Sequence, residues 1–158
     1  MKEKWKKLAI ILLLILSLII IDQVIKSIIP KEETNIIDGF LKFTYTENTG
    51  AAFGFASGNL GAIIITNAIV LGIAARFLIA QFDKTDKQTK IALCCILAGG
   101  ISNLIDRIVR GYVIDYINLN YIFPFSIFNL ADILVVFGWI ALVIFTIKIS
   151  FKKQKLEE

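Results

Sequence analysis

Four apolar blocks, each long enough to cross a bilayer, constrain this chain more than any other feature of it. They occupy residues 8–29, 60–82, 91–110 and 128–151. At ~1.5 Å of rise per residue the first block alone gives ~33 Å of helix, against a hydrocarbon core of ~30 Å. Lipid offers backbone groups no partner, so four helices are the default reading. The expectation is an all-α membrane protein, a single integral-membrane domain over residues 1–158 with four transmembrane helices. The basic start followed by an apolar run is unlike a cleaved signal peptide. The run is too long, and it continues into Ile20-Ile21-Asp22-Gln23 with no small-residue cleavage site. Nor does a lipobox stand near the start.

Lysine placement sets the direction of the spans. Lys2, Lys4, Lys6 and Lys7 precede the first block, Lys84, Lys87 and Lys90 lie between the second and third, and Lys152, Lys153 and Lys155 follow the fourth. Residues 111–127 carry neither Lys nor Arg. Both termini and the short basic loop are therefore expected in the cytoplasm, with segments 30–59 and 111–127 outside. From Phe40 the first outer segment alternates and is rich in aromatic and β-branched residues, which predicts a short strand or hairpin at the membrane surface. Gly50, Gly54 and Gly58 are expected to break it into turns.

Histidine is absent, which excludes Ser-His-Asp and Cys-His catalysis and imidazole-dependent zinc sites. Cys94 and Cys95 are adjacent within an apolar run and read as packing residues. No convincing metal-ligand set is present, and no cofactor or nucleic-acid partner is expected.

Ionisable groups within a span are rare and functional by default. Asp22 and Lys26 stand one helical turn apart late in the first block, and they read equally well as an intrahelical ion pair or as part of a site. Asn103, Asp106 and Arg107 share a face late in the third. Asn129 and Asp132 fall at i and i+3 early in the fourth, and Asp115 lies in the outer loop behind the third. With the lysine-based orientation all of these gather near the outer leaflet. Asp106 reads as a partner for Arg107 or Arg110, Arg107 as a snorkelling side chain or a site residue, and Asn103 and Asn129 as interhelical hydrogen bonders or site residues. Arg76 and Asn67 read as structural. Asp115 and Asp132 have no basic residue at i±3 or i±4, and Asp132 shows no local partner at all. Two such carboxylates at one depth suggest a dyad sharing a proton, one member taking a proton from water and the other polarising a carbonyl. That is peptide hydrolysis without a metal or a covalent intermediate.

At these residues the chain resembles the bacterial lipoprotein signal peptidase (type II signal peptidase, or prolipoprotein signal peptidase) family over nearly its whole length. Four strings carry the resemblance: Asp22-Gln23-x-x-Lys26; Asn48-x-Gly50-Ala51-Ala52-Phe53-Gly54; Gly99-Gly100-x-x-Asn103-x-Ile105-Asp106-Arg107 followed by Gly111-x-Val113-x-Asp115-Tyr116; and Phe128-Asn129-x-Ala131-Asp132. The resemblance implies an intramembrane aspartic endopeptidase of the bacterial plasma (inner) membrane, cutting prolipoproteins just before a diacylglyceryl-modified cysteine. By it, Asp115 and Asp132 match the catalytic pair, and Asn48, Gly50, Asn103, Arg107 and Asn129 match residues lining the substrate site. Asp22, Lys26 and Asp106 match the part that shapes the site, and residues 30–59 resemble an extracytoplasmic cradle of short strands. The implied partners are lipid-modified prolipoprotein signal peptides and membrane lipids, and the chain is expected to act as a monomer. Ile133, Ser102 and Tyr116 depart from the family's commoner Ser, Gly and Phe. Two other readings remain open at this point. An ion- or proton-conducting protein needs polar groups across the full depth, and a non-enzymatic scaffold needs no paired aspartates.

Overall fold

The computed structural model describes residues 2–50, 59–119 and 127–157. In chain order the elements are α1 (Lys2–Ile28), β1 (Thr34–Ile37), β2 (Leu41–Asn48), α2 (Leu60–Ala80), α3 (Lys87–Val109), β3 (Val113–Asn118) and α4 (Leu130–Glu157). All four helices are long and apolar enough to cross a membrane. The apolar blocks locate them to within a few residues, except where polar ends extend the helix. α1 starts back at Lys2 and α4 runs on to Glu157. Asn59 and Asp86 fix two of the starts by capping: their side-chain oxygens accept from Ala62 N at 3.0 Å and from Thr89 N at 2.9 Å. The glycines at 54 and 58, and motif positions 51–54, lie outside the described residues.

α3 is the central helix. It packs against α1, α2 and α4, and it is buried along most of its length. The other three turn Ile10, Leu13, Ile73, Phe137 and Ile140 outward, as helices do when lipid is their solvent. Small residues bring α3 and α4 together. A Cβ on Gly99 would lie 2.2 Å from the carbonyl oxygen of Ala131, and one on Gly138 would lie 2.8 Å from that of Ala92. Lipid tails supply no hydrophobic force between helices, so such close backbone approach is what holds the pair.

The strands form one antiparallel sheet in the order β1-β2-β3. β1 and β2 make the expected hairpin, turning at Gly39 with φ of 69°. The third strand departs from expectation. Asp115 is not in a loop but on β3, opposite Thr46 of β2. The sequence hid this because β3 is short and its partner strand lies far upstream, so no local turn signal announces the pairing.

Burial divides the molecule along its length. Leu8, Ile15, Leu71, Leu78, Phe82, Leu93 and Leu97 form an apolar core at one end and through the middle. The buried residues Asp22, Lys26, Ser102, Asn103, Asp106, Arg107, Asp115 and Asn129 collect at the other. Among the described residues no buried polar chain crosses the full depth, so the conducting reading finds no path.

Candidate active site

The site is assembled on the N-terminus of α4. A helix start leaves backbone N–H groups without partners, and here side chains satisfy each one. The Asn129 side-chain oxygen accepts from Asp132 N at 2.9 Å, and Asp132 Oδ2 accepts in return from Asn129 N at 3.1 Å, a reciprocal capping box. Leu130 N donates to the Tyr116 hydroxyl at 3.3 Å, and Ala131 N to Asp22 Oδ1 at 3.0 Å. Two expectations are corrected by this. The fourth helix begins at Leu130, so Asn129 is its cap and not part of the span. Asp132 does have a local partner: the i, i+3 spacing of Asn129 and Asp132 is the spacing of a cap.

Asp115, 2% exposed, is held at both oxygens. Asn48 Nδ2 donates to Oδ2 at 2.9 Å, and Asn129 Nδ2 donates to Oδ1 at 2.6 Å. Asp132 Oδ1 accepts from Asn103 Nδ2 at 2.7 Å. Asn129 therefore bonds both carboxylates, one through its side chain and the other through its backbone. Each of the three amides has its oxygen pinned by an N–H group: Asn48 by Gly50 N, Asn129 by Asp132 N, and Asn103 by Lys26. That leaves each NH2 group facing a carboxylate. Burial pushes the Asp115 carboxyl up to about 6, the charge of Asp132 acts the same way, and the amides of Asn48 and Asn129 oppose it.

Behind this pair lies a fully buried charge cluster. Lys26 Nζ is 2.7 Å from Asp22 Oδ2, 2.8 Å from Asp106 Oδ2 and 2.8 Å from Asn103 Oδ1. Asp106 also pairs with Arg110, which decides between the two partners expected for it. Arg107 is not its partner and is not a snorkelling side chain. It is 8% exposed, and it donates to the carbonyl oxygens of Gly50 at 3.0 Å and Asn103 at 3.2 Å. It thereby ties the end of β2 to α3. Its Nε has no partner among the described residues. The Asp22–Lys26 pair is real, and it is also joined to α3 and α4, so its two readings merge.

A family model for signal peptidase (SPase) II matches residues 14–148 of this sequence. The chain belongs to the signal peptidase II family. Proteins named lipoprotein signal peptidase from Clostridium tetani and Fusobacterium nucleatum are 43% and 35% identical to it. The first match covers 82% of this chain and 87% of the relative, and the second 92% and 90%. A solved bacterial membrane enzyme, determined by the in meso method at 2.3 Å resolution, superposes with a TM-score of 0.83 at 31% identity, covering 92% of each chain. A second, at 1.9 Å resolution, gives 0.76 at 31% identity, covering 89% of this chain and 94% of its own. As a member of the signal peptidase II family, the protein is a multi-pass membrane protease.

The structure brings every expected site residue into this network. It also adds three that sequence reasoning left without a role. Gln23 Nε2 donates to the Ser102 hydroxyl and to Asp106 Oδ1, both at 2.9 Å, while its Oε1 accepts from Arg110 at 3.0 Å. Ser102 donates to Asp22 Oδ2 at 2.6 Å. Tyr116 holds the first N–H of α4. The available signal for Gln23 was its polarity at the depth of Asp22 and Lys26.

Proposed function

We propose that this protein is an intramembrane aspartic endopeptidase that removes signal peptides from prolipoproteins, cutting on the N-terminal side of a diacylglyceryl-modified cysteine. The observation that carries the reading is that Asp115 and Asp132, from different elements, are both bonded by Asn129 among neutral amide donors. Such a pair disfavours double ionisation, so one proton is shared. The ionised carboxylate takes a proton from water as the water oxygen attacks the scissile carbonyl. The protonated carboxyl donates to the carbonyl oxygen. As the C–N bond of the tetrahedral intermediate breaks, the newly protonated carboxyl gives its proton to the leaving amine, and a gem-diol hydroxyl returns a proton to the other carboxylate, which restores the singly protonated pair.

The remaining residues fit a substrate that is itself a membrane helix. Its scissile peptide must leave the helix to expose the carbonyl, and its freed backbone groups need partners at a depth where water is scarce. Arg107, Asn103, Asn48, Gly50 and Asn129 surround the aspartates, and the unpartnered Arg107 Nε is a donor left over for that backbone. The lysine pattern supports placing this end at the outer face of the plasma membrane with both termini in the cytoplasm. The chain acts alone on its lipidated precursor, in contact with membrane lipids.

The test is cleavage of a diacylglyceryl-cysteine precursor by the purified protein in liposomes, with the product identified by mass. The expected product begins at the lipidated cysteine. An intact precursor, or cleavage elsewhere, overturns the reading.

A further inference from the structure

We infer that Lys26 is a positioning residue for Asp132, acting through Asn103 by dictating which way the Asn103 amide faces. The inference rests on the proposed role of Asp132. An ammonium has three donors and no acceptor. The atom of Asn103 that lies 2.8 Å from Lys26 Nζ must therefore be its oxygen. The opposite end of the same planar amide is then NH2, and that end is 2.7 Å from Asp132 Oδ1. Asn129 Nδ2 reinforces the choice, donating to the same Asn103 oxygen at 3.2 Å.

The arrangement explains why a charge is kept in this place. Lys26 and its partner Asp22 are both fully buried at the depth of an apolar helix. Buried ion pairs are poor contributors to stability, and apolar groups of similar volume often do as well. A methionine at position 26 would fill the space but leave only the longer Asn129 bond, at 3.2 Å, to hold the Asn103 amide against a flip. Flipped, it would present oxygen lone pairs to Asp132, repelling the carboxylate it now holds. The other carboxylates anchor the ammonium. Asp22 is fixed by Ser102 and by Ala131 N, and Asp106 by Gln23 and Arg110. Lys26 thus has one permitted position, and through it Asn103 has one permitted orientation.

The experiment compares kcat and KM for lipidated precursor between Asp106→Asn and the double variant Lys26→Met/Asp106→Asn. The double variant removes one charge of each sign, leaves Asp22 opposite Arg110 in the balance, and keeps the hold of Asp22 on Ala131. The inference expects kcat to fall at least about tenfold from single to double variant with KM unchanged. Equal kcat values overturn it. Asn103→Ala, which itself removes no charge, gives a second reading if the double variant does not fold. Loss of kcat is expected, and a kcat equal to that of wild type overturns the inference. Asp132→Asn, measured alongside, separates the two levels. Wild-type turnover there removes the dyad itself. An inactive Asp132→Asn together with an unaffected double variant removes only the role of Lys26.

Discussion

Asp115 and Asp132 were legible as single residues because a carboxylate without a basic neighbour in an apolar setting has few bland explanations. Gln23, Ser102 and Tyr116 were not, because neutral hydrogen-bonding side chains are compatible with any helix or strand, and only the fold reveals what they touch. Ser102 shows the difference well: a small hydroxyl that any helix could carry, it proves to hold Asp22 at 2.6 Å. The environment of Asp115 makes a pH prediction. Its carboxyl, at about 6 against an ordinary 3.8, binds its proton more tightly in the folded protein than in the unfolded chain. The stability drawn from that proton is complete below the unfolded value and lost as pH rises through about 6. Thermal melts of wild type and Asp115→Asn should therefore diverge as pH rises from 4 to 7, with the wild type falling relative to the variant. A constant gap would show that the folded and unfolded values do not differ.

At the scale of elements, hydropathy gave all four helices and alternation gave the β1–β2 hairpin, since both are local signals. β3 and the cap at Asn129 were missed for opposite reasons. The strand's partner is remote in sequence, whereas the cap was in plain view as Asn129-x-x-Asp132 but its spacing also suits a helix face. The joint that matters most is between α3 and α4, because Asn103 on one and Asp132 on the other meet only when the helices approach closely. Gly138 lies against Ala92 and Ile96 at that joint. Gly138→Val should lower stability by about 1–3 kcal/mol through overpacking and reduce turnover as well. Melting in detergent and precursor cleavage would measure the two effects. A variant as stable and active as wild type would show that the close approach is dispensable.

Across the whole molecule, an apolar lower body carries a polar head, and the head is where chain segments distant in sequence converge. Asn48 reaches Asp115 from 67 residues away, and Asp22 reaches Ala131 from 109. The lysine pattern supports one direction of the molecule in the membrane, with both termini in the cytoplasm. A membrane-impermeant maleimide should label Asp38→Cys, near the hairpin tip, on intact cells, and Lys84→Cys only after lysis. The reverse pattern would invert the orientation. The central claim is that two aspartates act as one acid–base unit. Single-turnover cleavage of lipidated precursor by Asp115→Asn and Asp132→Asn, each checked for an intact melt, tests it most directly. The account predicts that either variant folds and that each loses at least about a thousandfold in rate. A folded variant of either kind cleaving at the wild-type rate would contradict it.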